Sequence, residues 1–251
     1  MRKRSIWNKV PLAKGTKIVK DMRKILNRKF YNRPTLAVAR ELLGKLIVRE
    51  AGGKRLVGRI VETEAYNGPE DLASHASRGR TARTEVMFGQ AGLAYIYFIY
   101  GMYHCFNIIT EEEGYPAAVL IRAVEPIEGM EVMAKNRNLK PPLPPLLRGA
   151  GRGLPSLIKG VKGDFGLTNG PGKFCQAFQL DKGLNGHDLT QGRKLWLEDR
   201  PVSPSACRGG GETIKKAAVV AAKRIGVDYA GAYKDKHWRF YLKGNEWVSK
   251  K

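Results

Sequence analysis

Two carboxylates, Glu62 and Glu64, stand two residues apart in RIVETEAY, and His75 follows in the loop sequence NGPEDLASH. The tyrosine-rich run AYIYFIYGMY lies a little further on, with arginines between. A carboxylate beside a pocket suits general-base activation of a water, tyrosine faces suit a flat electron-poor ring, and arginines grip phosphates. Together these residue types predict hydrolysis of the N-glycosidic bond of a nucleobase taken out of its stack. Each also has a plainer reading. Glu64 can pair structurally with Arg59 or Arg122, and His75 can be an ordinary capped loop histidine; spacing alone leaves both open.

Strands must position these groups. Residues 45–50 and 55–66 read as extended segments joined by Ala51-Gly52-Gly53-Lys54, a four-residue hairpin turn. Alternation in the second segment puts Ile60, Glu62, Glu64 and Tyr66 on one face and Val61, Thr63 and Ala65 on the other. The acidic face is excluded from the core unless it lines a site. Just before, TLAVARELLGKLI spaces Leu36, Ala39, Leu42 and Leu43 at helical intervals and stops at Gly44, so the folded domain is predicted to begin near Pro34. Residues 94–109 read as a second hairpin turning at Tyr100-Gly101-Met102, with Gly101 supplying the turn. Residues 117–124 form a further strand with Ala118, Leu120 and Arg122 on one face, after which Pro126 and Glu128 open a helical stretch to Asn136. In LTNGPGKFCQAF a glycine-rich turn precedes a helix whose first N–H groups either hold a phosphate or simply start the helix. Several strands with few crossover helices predict an α+β fold with a mainly antiparallel sheet.

A chain of 251 residues can bury a sizeable core in one domain, with two small ones remaining possible. Lys and Arg number 45 against 23 Asp and Glu, a formal charge of +22 that calls for a polyanionic partner. No run of about 18 apolar residues and no signal-peptide core is present, which favours nucleic acid over a membrane. The expected location is intracellular, a bacterial cytoplasm first, with nuclear or organellar import through the basic N-terminus left open. Residues 1–33 carry twelve Lys or Arg against the single acid Asp21. Residues 1–32 therefore read as a flexible basic arm, either a solvated tail or a source of attraction to phosphates. Proline- and glycine-rich segments near 140–166 and 200–214 read as insertions. Cys105, Cys175 and Cys207 are odd in number and lack metal-ligand spacing, so neither a disulfide framework nor a zinc site is expected.

VETEAYNGPEDLASH, MFGQAGLAYIYFIYGMY, AAVLIRAVEP and NGPGKFCQA, with RIGVDYAGAY and WRFYLKGNEWVS near the C-terminus, resemble the 3-methyladenine (alkyladenine) DNA glycosylases. The resemblance spans residues 33–249 apart from the two insertions. It implies a single α+β domain around a curved antiparallel sheet with a protruding hairpin, acting on double-stranded DNA that contains damaged purines. It makes Glu64 the general base for a water attacking C1′, Arg122 a holder of that water, and Glu62 a supporting neighbour. Tyr66, His75 and Tyr97 would enclose the flipped base, and Asn107 would exclude the exocyclic amine of guanine. Tyr100 would enter the minor groove between Met102 and Tyr103, while Arg80, Lys173 and the backbone at Gly170 would hold the DNA backbone. No metal and no other cofactor are implied, a monomer is expected because no oligomer interface is evident in the sequence, and no lysine lies in the matched pocket motifs to attack C1′, so a coupled lyase activity is not expected. Residues beside His75, together with His104 and Phe106, vary among relatives and leave the preferred lesion open. Two other readings stand: a catalytically silent nucleic-acid-binding protein, which has no use for Glu64 facing a polyanion, and a Mg²⁺ nuclease built on Glu62, Glu64, Glu70 and Asp71, which lacks a second acidic cluster.

Overall fold

The computed structural model describes residues 24–139, 166–199 and 219–250; the predicted insertions, Gly166 aside, and residues 1–23 of the predicted arm lie outside them. Among the described residues the fold is α+β. The strands are β1 (Leu46–Ala51), β2 (Lys54–Tyr66), β3 (Ala94–Ile99), β4 (Tyr103–Thr110), β5 (Ala117–Glu128), β6 (Leu195–Glu198), β7 (Val219–Ala222) and β8 (Arg239–Leu242). The helices are α1 (Arg28–Tyr31), α2 (Thr35–Glu41), α3 (Met130–Asn136) and α4 (Pro171–Ala177). The strands make one antiparallel sheet in the order β3-β4-β5-β2-β1-β6, with β8 also on β2 and β7 on β8.

Strand β2 organises the sheet. Along one edge it pairs with β5 from Val57 to Tyr66, and along the other it pairs first with β1 and then, at Glu62–Glu64, with β8. Its hairpin with β1 is tighter than predicted: Ala51 and Lys54 still pair, leaving a two-residue turn of Gly52 and Gly53. Their φ angles of 54° and 69° suit glycine in a turn whose twist matches that of the strands.

Three register shifts bend the pairing of β2 with β5, one between Val57 and Gly58 and two close together, between Ile60 and Glu62 and between Glu62 and Thr63. Val61 is the extra residue on β2, and Arg122 the extra residue on β5. An extra residue reverses the side-chain alternation. Ile60 therefore does not share a face with Glu62 and Glu64, as strict alternation predicted; it lies in the main core with Val61 and Ala65. That core is built on one sheet face, where α2 contributes Val38 and Ala39 and α4 contributes Phe174. Thr63 joins the same side by donating its hydroxyl to the Ala39 carbonyl at 2.8 Å.

Two further predictions are corrected. Residues 126–128 belong to β5, not to a helix; the helix α3 starts only after Gly129. Pro126 is accommodated opposite Gly58, next to a register shift. A side chain at Gly58 would meet Phe178 and Val124 at 3.0 Å, so its absence lets the sheet and α4 approach. The domain also begins before Pro34. Leu26 and Tyr31 are buried, Leu26 N–H donates to the Leu197 carbonyl at 2.9 Å, and Arg28 pairs with Asp188 at 2.6 Å. Net charge had concealed the apolar residues Ile25, Leu26 and Tyr31 within the basic stretch.

Candidate active site

The sheet face opposite the main core carries the candidate catalytic and base-binding side chains. Residue pairing runs Glu64–Leu120–Asn107–Tyr95 straight across β2, β5, β4 and β3, and residues directly opposite share a face. Tyr66, two residues on from Glu64, and Tyr97, two on from Tyr95, extend that surface. Burying acids and aromatics together here demands that every charge be matched.

Glu64 is fully buried and its carboxylate meets three donors. Ile225 N–H donates to Oε1 at 2.8 Å, Tyr66 hydroxyl donates to Oε2 at 3.0 Å, and Arg122 Nη1 stands 3.2 Å from Oε2. Glu62, equally buried, is held differently. Arg239 Nη1 lies at 2.9 Å and Arg122 Nε at 3.3 Å from its Oε1, and Ser249 N–H donates to Oε2 at 2.7 Å. Burial disfavours the charge on Arg122, but Glu64 and then Glu62 more than offset this and raise its pKa. Two buried carboxylates thus face two guanidiniums. Of the two arginines in the plain reading of Glu64, Arg122 does pair with it, whereas Arg59 turns to Glu125 at 3.7 Å. Burial, then the charge of Glu64, pushes the Tyr66 phenol well above its ordinary pKa, so it remains a donor.

The aromatic groups gather beside these acids. His75 opens a single 3₁₀ turn after the cap Ser74; its ring centroid lies 4.5 Å from that of Tyr97, and its Nδ1 is 3.0 Å from the Tyr95 hydroxyl. Burial, reinforced by Arg83 and Arg78, lowers the His75 pKa to about 4, leaving a neutral ring at pH 7. Arg83 stands 5.3 Å from the centre of the Tyr97 ring. Asn107, nearly buried, donates through Nδ2 to the Tyr95 carbonyl at 3.2 Å, which fixes its amide. Cys105, opposite Tyr97 on β4, is held as a thiol by burial, with its pKa raised to about 11.

At the end of the β3–β4 hairpin the surface changes character. Tyr100 is 84% exposed and Met102 63%, with Tyr103 partly exposed at its base. Tyr100 also has φ 51°, a left-handed backbone that disfavours a bulky side chain. A large aromatic left exposed on a left-handed backbone buries little of its surface in the isolated protein, which points to a contact made elsewhere.

The three residues assigned to DNA backbone contact do not form one group. Gly170 caps α4, and Lys173 in its first turn donates to Asn169 Oδ1 at 3.1 Å. Arg80 lies in a separate loop, where Nε and Nη2 fork onto Glu85 at 2.9 and 2.6 Å. Sequence reasoning missed Ile225, Arg224 and Arg239, which reach the site from positions remote in the chain, and it gave Asp71 only as a metal ligand of the nuclease reading, not as the partner of Arg224. Among the described residues, no three potential metal ligands gather, and Asp71 and Glu62 are each committed to arginines.

A family model described as methylpurine-DNA glycosylase (MPG) matches residues 29–246. A protein of Desulfitobacterium hafniense is 48% identical over 91% of this chain and 100% of its own length. One from Methanocella arvoryzae is 47% identical over 90% of this chain and 96% of its own. A third, from Clostridium perfringens, is 46% identical over 90% of this chain and 99% of its own. All three carry the name "Putative 3-methyladenine DNA glycosylase".

Proposed function

Because the chain belongs to the methylpurine-DNA glycosylase family, we propose that Glu64 is the general base with which it releases damaged purines from DNA. The protein is a hydrolytic DNA glycosylase of base-excision repair. The observation that carries the assignment of Glu64 is its place on the sheet face shared with Tyr66, Tyr97 and Asn107, in contact with Arg122 and a tyrosine hydroxyl. Water admitted with the flipped nucleotide gives a proton to Glu64 as its oxygen attacks C1′. The electrons of the N-glycosidic bond return to the purine, the base departs, and the sugar keeps the new hydroxyl as an abasic site. Arg122 balances the carboxylate's charge and helps to hold the water.

Tyr66, Tyr97 and His75 enclose the purine. Stacking on aromatic side chains is worth about 1–3 kcal/mol per base, enough to offset a flipping cost of a few kcal/mol, least at damaged pairs. Asn107 rejects an amine at C2, leaving 3-methyladenine and hypoxanthine as fitting bases. Tyr100, flanked by Met102 and Tyr103, fills the vacated space, and Gly170, Lys173 and Arg80 contact phosphates. Arg80 must first exchange Glu85 for the DNA. The enzyme works as a monomer, in a prokaryotic cytoplasm. Among the described residues no helix is long and apolar enough to cross a membrane.

The test is a duplex carrying one hypoxanthine, incubated without added metal and then heated in alkali, with Glu64→Gln in parallel. Native chain should cut at that site, and Glu64→Gln should lose at least about 10²-fold in rate while binding the lesion duplex as before. Equal loss of binding would make Glu64 structural. No cutting of either hypoxanthine or 3-methyladenine DNA by the native chain would favour a silent binding protein.

A further inference from the structure

Asp71 and Arg224 form an ion pair whose side chains are both fully buried, although the residues are 153 positions apart. The guanidinium forks onto the carboxylate, Nη1 to Oδ2 at 2.5 Å and Nη2 to Oδ1 at 2.8 Å. Nη1 also donates to the Ala65 carbonyl at 2.9 Å, and Nη2 to the Tyr233 carbonyl at 3.2 Å. The guanidinium carbon lies 4.9 Å from the centre of the Tyr66 ring and 5.1 Å from that of Trp238. Asp71 in turn accepts the N–H groups of Asn67 and Ala73, fixing the loop that leads to His75. One arginine therefore touches the end of β2, the His75 loop and the C-terminal segment.

Such a pair adds little to stability, because desolvating two charges consumes most of their attraction. Its location is more informative. The residue after Arg224 is Ile225, whose N–H donates to Glu64 Oε1, and the ring beside Arg224 is Tyr66, whose hydroxyl donates to Glu64 Oε2. We propose that Asp71 and Arg224 are a positioning pair for hydrolysis, aligning both donors on the Glu64 carboxylate without touching the substrate. This rests on Glu64 being the general base. A small displacement of reacting groups slows a reaction by about 10²-fold, and lysine cannot reproduce the bidentate fork.

The experiment uses the full chain with Arg224→Lys, Asp71→Asn and Glu64→Gln. Base release is followed in single turnover, at saturating enzyme, on a hypoxanthine duplex. Affinity is measured separately on a duplex whose hypoxanthine nucleotide carries a 2′-fluorine, which withdraws electrons from C1′ and resists cleavage. Arg224→Lys and Asp71→Asn should slow release by about 10²-fold while affinity changes by less than about threefold, the pattern of an interaction used only on the way to reaction. Native release rates in both variants, with Glu64→Gln inactive, would overturn the pair alone. Proportionate loss of affinity and rate would make it merely structural. Undiminished release by Glu64→Gln would remove the base assignment and the pair's role together.

Discussion

At the scale of single residues, the site is a balance of buried charges: Glu62 and Glu64 against Arg122 and Arg239, Asp71 against Arg224. Half of it was legible. Glu64 and Tyr66 stand two apart on one strand, where alternation puts them on one face, whereas Arg122 and Asn107 on other strands were named with them only through the matched motifs. Arg224, Arg239 and the Ile225 N–H arrive through contacts spanning more than 150 residues, which no local spacing encodes. His75 gives a prediction with a definite sign. Its pKa is about 4 in the folded protein and 6.5 ordinarily, so between those values the unfolded chain binds a proton that the native site refuses. Stability should therefore be intact above pH 6.5 and decline as pH falls toward 4. Urea midpoints at pH 7 and pH 5 should differ more for the native chain than for His75→Gln; an equal difference would mean His75 is not held neutral.

At the scale of elements, both hairpins and the helices at α2 and α4 follow from the sequence, because glycine turns and apolar periodicity are local signals. The bulges at Val61 and Arg122 do not, since a strand template counts every second residue and has no means of inserting one. Pro126 misled for a related reason: it is tolerated in β5 only because the register shifts opposite Gly58. The β3–β4 hairpin makes the sharpest prediction. Asparagine adopts the left-handed backbone of Tyr100 more readily, so Tyr100→Asn should raise stability by roughly 1 kcal/mol while weakening affinity for lesion DNA. Thermal melting and titration of a lesion duplex measure the two effects. Undiminished affinity would remove Tyr100 from the groove; unchanged melting would remove strain as a reason for suspecting it.

For the whole molecule, the charge of +22 was the plainest sequence signal and also the one that blurred the domain boundary. Residues 1–23 hold eight Lys or Arg and one acid, whereas Leu26 and Tyr31 further on are packed in the core. Deleting 1–23 should leave melting unchanged and flatten the salt dependence of non-specific DNA binding, by about 0.9 in slope for each phosphate the arm would have neutralised. Extending the deletion through Tyr31 should lower the melting temperature. An unaltered slope in the shorter deletion would mean those charges do not meet DNA. The long-range anchoring of the site has a further outcome during translation. The donors that Ile225 and Ser249 supply to Glu64 and Glu62 are encoded 161 and 187 codons after their acceptors, on the order of 10 s later at ribosomal speed. A nascent chain thus carries the tyrosines, Asn107 and abundant positive charge well before the donors of its buried carboxylates are made. A product cut short before residue 225 lacks both donors and should excise nothing.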